Sequence, residues 1–99
     1  MLDIDKLRNE IDDIDKQIIE LFEKRMDVVL NVAKYKMERN LPIFNGAREN
    51  AVIEKNLKRL KNKEYSDYAE KFLNDMMTTS REFHGSSEGR STRSRRFFQ

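Results

Sequence analysis

The 99-residue chain has no cysteine, no tryptophan, one histidine, one proline and three glycines. Without cysteine there is no disulfide framework, no thiolate metal site and no cysteine nucleophile. The single histidine, His84, is too little for a histidine-built metal cluster. Glycine and proline are too scarce for a many-turned β fold. No apolar run approaches the roughly 18 residues of a membrane-spanning helix, so no membrane partner is expected. The N-terminus, Met1-Leu2-Asp3-Ile4-Asp5-Lys6, lacks the basic-then-apolar order of a secretory signal. The expectation is a cytoplasmic, single-domain protein.

Neither sign of charge dominates. Residues 1–84 carry 16 Lys/Arg against 17 Asp/Glu, whereas residues 85–99 carry Arg90, Arg93, Arg95 and Arg96 against Glu88 alone. The basic pI of about 8.9 therefore comes from the tail. Four arginines among serines permit weak, salt-dependent nucleic-acid binding. No aromatic platform or groove-reading element accompanies them, which argues against a nucleic-acid partner.

What the chain has in abundance is helical periodicity. Ile4, Leu7, Ile11, Ile14, Ile18, Leu21, Val28, Val32 and Tyr35 follow one another mostly in steps of three and four. That spacing predicts one helix from about residue 5 to 38, capped by Asp3 or Asp5 and ended by Asn40-Leu41-Pro42. It would be on the order of 50 Å long at 1.5 Å per residue. A lone chain this short can hardly cover such a stripe, so a dimer with paired long helices is expected. Asn45 is a candidate cap for a second helix with Ala47, Ala51, Val52, Leu57 and Leu60 on its apolar side, ending at Lys61-Asn62-Lys63. Ser66 or Asp67 is a candidate cap for a third, with Tyr68, Ala69, Phe72, Leu73, Met76, Met77 and Phe83 as its apolar positions. The fold class is all-α, three helices per chain, over residues 1–84. From Gly85 the composition turns to Ser, Gly, Thr and Arg, and residues 85–99 read as a disordered tail, a linker or a non-native C-terminus.

Two cations break the apolar pattern. Positions 4, 11, 18, 25 and 32 form one column of the first helix, and all are aliphatic except Arg25. Lys36 lies eleven residues further on, nearly in line. A cation on a buried face needs an anion. Either a core acid pairs with each and sets register, or the anion is a ligand. Nothing acidic lies on that stripe. Arg8 flanks it about 25 Å from Arg25 at helical rise. It is a surface arginine, unless an antiparallel second chain brings it to the same site. Arg48-Glu49 reads as a charged first turn. Ser80 and His84 read as a small residue and a helix-ending histidine on the edge of the third helix. No nucleotide-binding loop, metal-binding or Ser/His/Asp pattern is present.

Leu7-Arg8-x-x-Ile11-Asp12-x-x-Asp15, Leu21-Phe22-x-x-Arg25, Val32-Ala33-x-Tyr35-Lys36, Pro42-Ile43 and Arg48-Glu49 together resemble the AroQ-class chorismate mutases over roughly residues 3–83. The resemblance implies an intertwined all-α homodimer that rearranges chorismate to prephenate in phenylalanine and tyrosine biosynthesis, without cofactor, metal or covalent intermediate. By the same resemblance, Arg25 and the partner chain's Arg8 would clamp substrate carboxylates. Lys36 would bridge a carboxylate and the ether oxygen, and Arg48 would support the anion network. Glu49 would accept a hydrogen bond from the ring hydroxyl. Ser80 would contact a carboxylate. Val32, Val52 and Met77 would form apolar walls. Asn45 stands where many relatives have Asp, and its role there would be mainly through its backbone. A catalytically silent dimerisation or regulatory module on the same scaffold is the alternative function.

His84 departs most from the family, which often has Gln there as a neutral donor to the ether oxygen. A histidine donates from a ring N–H, and better when protonated, near its reference pKa of ~6.5. If His84 takes that role, turnover rises as pH falls below neutral. A pH–rate profile that is flat from acid to neutral rejects the assignment.

Overall fold

A computed structural model describes the backbone of residues 2–89 and the side chains as far as Phe83. Among the described residues there are three α-helices, one 3₁₀ turn and no strand: α1 (Ile4–Glu38), α2 (Gly46–Arg59), the turn Lys63–Tyr65 and α3 (Ser66–Gly89).

Local chemistry sets each boundary. Asp3 caps α1, its carboxylate accepting from the Asp5 amide at 2.9 Å. At the other end the Leu41 amide donates to the Lys36 carbonyl at 2.8 Å and the Asn40 amide to the Met37 carbonyl at 3.3 Å. This double closure is a Schellman motif, and it places Asn40 at φ 54°, the left-handed region that asparagine tolerates better than most residues. Pro42 follows and prevents continuation. Asn45 caps α2, accepting from the Arg48 amide at 3.0 Å. Glu49 in the first turn and Lys58 and Arg59 in the last complement the helix dipole.

Two boundaries and one helix face differ from the expectation. Ser66 does not cap α3. It is already helical at φ −56° and ψ −46°, because the 3₁₀ turn runs straight into α3; the capping side chain is Asn62, which accepts from the Glu64 amide at 3.0 Å. On α2 the inward residues are Glu49, Val52, Ile53, Asn56, Leu57 and Leu60, a strict three-four series, whereas Ala47 and Ala51 are exposed. The third difference is the tail. Gly85 does not end α3, which continues to Gly89. One glycine weakens a helix by only about 1 kcal/mol relative to alanine, too little to stop one already five turns long. Residues 90–99, the rest of the expected tail, lie outside the described residues.

α3 packs against both α1 and α2, while the backbones of α1 and α2 do not meet. The buried core is correspondingly thin: Ala33 from α1, Leu73 and Met77 from α3. The gap between α1 and α2, floored by α3, is the candidate site. Beyond it α1 is bare. Ile4, Ile11, Ile14, Ile18, Ile19, Leu21 and Phe22 are 44–62% exposed, and Phe72 of α3 is exposed beside the last four. The radius of gyration is 16.8 Å, against about 13 Å for a compact chain of this length.

The left-handed Asn40 supplies a direct test of the α1 terminus. Asn40→Val costs about 1–2 kcal/mol, because a β-branched side chain collides with its own backbone at positive φ. Asn40→Gly leaves stability equal or higher. Urea denaturation of both variants measures the difference.

Candidate functional site

The cleft between α1 and α2 encloses about 160 Å³ and opens to solvent. α1 contributes Arg25, Val29, Val32 and Lys36, a series at helical spacing on one face. Ile43 and Asn45 line it from the connection. Arg48, Glu49 and Val52 come from α2, and Met77, Ser80 and Arg81 from α3. The left-handed turn at Asn40 folds the chain back so that the start of α2 faces the end of α1.

Each cation is held in a particular way. The Arg25 guanidinium donates to Ser80 Oγ. Lys36 Nζ donates to the Ile43 carbonyl at 2.8 Å, which also ties the connection down onto α1. Arg48 stays exposed at the mouth, its backbone amide taken by the Asn45 side chain. Among the described residues no carboxylate forms an ion pair with Arg25, Lys36 or Arg48. The guanidinium of Arg25 has its pKa lowered from the ordinary arginine value, first by burial and then by the like charge of Arg48. Arginine stays protonated through such a shift, so the shift measures how unfavourable the empty arrangement is. A partly buried arginine beside a second cation, neither ion-paired to a carboxylate among the described residues, favours an incoming anion.

Lys36, Arg25, Arg48, Glu49, Asn45, Ser80, Val32, Val52 and Met77, expected at one site from the sequence, do line one cleft. Arg8 does not. It is exposed on α1, seventeen residues before Arg25 and about 25 Å away at helical rise. The His84 side chain lies outside the described residues.

Three residues that line the cleft were not among the expected site residues: Val29, Ile43 and Arg81. Arg81 lines the cleft with its Nε 3.4 Å from Glu49 Oε2, and its guanidinium carbon sits 5.2 Å from the Phe44 ring centre. A signal was available, since Arg81 follows the buried Met77 by four residues and shares its face. Arginine at that position reads as a helix surface until the packing of α2 against α3 is known.

The family profile described as Chorismate mutase type II matches residues 7–85. The chain belongs to that family. Its similarity to curated members covers part of the chain. The T-protein of Haemophilus influenzae is 44% identical over 48 residues, which span 48% of this chain and 13% of that protein. The bifunctional chorismate mutase/prephenate dehydratase of Buchnera aphidicola is 43% identical over 53 residues, 54% of this chain and 14% of that protein. The matched segments thus make up about one-seventh of these relatives' lengths. No solved structure is significantly similar to the chain. No described helix is long and apolar enough to cross a membrane.

An unpaired, half-buried cation opposes folding. Arg25→Met, which keeps the stem and removes the charge, raises unfolding stability by about 1 kcal/mol, while it removes anion binding. Urea denaturation without ligand reads the gain. An unchanged or lowered midpoint contradicts this account of the cleft.

Proposed function

We propose that this protein is a chorismate mutase, converting chorismate to prephenate as a homodimer with shared active sites. The observation that carries the proposal is the grouping of Arg25, Lys36 and Arg48 in one cleft with no carboxylate paired to any of them. Chorismate is a dianion, and its rearrangement is intramolecular. The ether C–O bond breaks as the new C–C bond forms. The task is to hold the enolpyruvyl arm over the ring and to meet the negative charge that grows on the ether oxygen.

Arg25, steadied by Ser80, grips one carboxylate. Lys36 leaves the Ile43 carbonyl to bridge a carboxylate and the ether oxygen. Orientation supplies part of the barrier reduction. A donor already placed at the ether oxygen favours the transition state over the ground state by typically ~3–4 kcal/mol. Arg48 adds positive potential at the mouth. Glu49 accepts from the ring hydroxyl, and Val32, Val52 and Met77 exclude water from the apolar face of the ring.

Two features support the dimer. Burying an aliphatic or aromatic side chain is worth about 1.5–3 kcal/mol. The seven residues of the α1 stripe are about half exposed, so covering them is worth on the order of 5–10 kcal/mol, comparable to the whole stability of a domain. A second copy with the same stripe, packed antiparallel, covers it. That packing also carries the partner's Arg8 toward Arg25, which Arg8 of the same chain cannot approach.

A spectrophotometric assay of chorismate consumption, with no cofactor added, tests the activity. Lys36→Ala and Arg25→Ala lower kcat/KM by at least about 10²-fold with helicity retained. Ile14→Asp shifts the species seen in analytical ultracentrifugation from dimer to monomer and abolishes turnover. A folded chain that leaves chorismate untouched identifies a silent module. A monomer with full activity refutes the shared site.

A further inference from the structure

Among the described residues the cleft contains one anion, Glu49, and a fourth cation, Arg81, that faces it from α3. A carboxylate in a site meant for a dianion repels its ligand. Whether the cleft can hold both depends on what is done about that charge.

The geometry of the pair is unusual. Arg81 Nε is 3.4 Å from Glu49 Oε2, close enough to neutralise it. Yet Nε is shielded from solvent and makes no hydrogen bond. The ion pair therefore balances the charge of Glu49 without occupying the carboxylate lone pairs. Phe44 backs the guanidinium. The guanidinium carbon lies 5.2 Å from the Phe44 ring centre, within cation–π range. Phe44 in turn lies against Gly46 at the first position of α2, where an added Cβ would stand 3.1 Å from its ring. The pair is also partly shielded, with Glu49 21% and Arg81 35% exposed, so solvent screens it less than a surface pair.

We propose that Arg81 is a positioning residue: it cancels the charge of Glu49 within the anion-binding cleft while leaving the carboxylate free to accept a hydroxyl hydrogen bond. This rests on the chorismate mutase reading for the identity of the hydroxyl. It does not rest on that reading for the charge relation, which concerns any small dicarboxylate. Glu49 can then select a hydroxylated ring without expelling a doubly negative one, and the remaining cations are left unopposed for the two carboxylates.

Two measurements on the full chain test it. The first is binding of malonate, a simple dicarboxylate, by isothermal titration. Arg81→Gln weakens malonate binding about tenfold in the otherwise native chain. In a Glu49→Gln background the same change alters affinity less than about twofold, because no charge remains to be cancelled. The second is turnover of chorismate. Arg81→Gln raises KM more than it lowers kcat, and Arg81→Lys, which keeps the charge, restores most of the loss. Thermal melts accompany every variant, and should Arg81→Gln fail to fold, Arg81→Met takes its place.

Equal weakening of malonate in both Glu49 backgrounds overturns the proposal, since Arg81 is then only another binding cation. So does an undiminished affinity in Arg81→Gln, or a wild-type chain that does not hold malonate. A wild-type chain that holds malonate with the expected coupling but leaves chorismate unchanged rejects the enzymatic reading and sustains the role of Arg81.

Discussion

The partial burial of the Arg25 guanidinium, with a second cation, Arg48, at the mouth of the same cleft, is the constraint on which the candidate site depends. Two guanidinium groups share a partly desolvated cleft, and burial and mutual repulsion both disfavour the charged form of Arg25. Neither is relieved by a neighbouring acid. The arrangement persists because three separate elements pin its members. Ser80 on α3 takes the Arg25 guanidinium, the Ile43 carbonyl takes Lys36, and the Asn45 cap fixes the first turn of α2 from which Arg48 projects. Unrelieved positive charge is a stored preference for an anion, of the kind that preorganised sites use.

The architecture around the cleft serves that preference. α3 packs against both other helices while the backbones of α1 and α2 do not meet, which leaves a cleft between them. Among the described residues only Ala33, Leu73 and Met77 are buried, so there is little apolar packing to set against the electrostatic cost. The bare stripe on α1 is where further packing is available.

Much of this was legible from the order of residues. The three-four spacing placed Arg25 and Lys36 on the apolar line of α1, and the structure puts both in the cleft. Asp3 and Asn45 were readable as caps because their short oxygen-bearing side chains meet free amides in the first turn. Other features were not legible. Ser66 looked like a cap, and the 3₁₀ turn that displaces it depends on how the chain crosses from α2 to α3. Gly85 looked like a terminus, but helix termination is a balance over many residues rather than a property of one. Ala47 and Ala51 looked inward, and a rotation of α2 turns Ile53 inward instead.

By itself, the sequence determined the helical class, the length and apolar stripe of α1, and the presence of cations where apolar residues belong. These follow from periodicity, which is a property of neighbours three or four apart. Only the tertiary structure decided that Arg81 faces Glu49, that Phe44 backs Arg81, and that Arg8 stands far from the cleft of its own chain. Glu49 and Arg81 are thirty-two residues apart on different helices. Their meeting depends on the turns at Asn40 and Lys63–Tyr65 and on the rotation of α2 against α3, quantities that packing sets and no local pattern encodes.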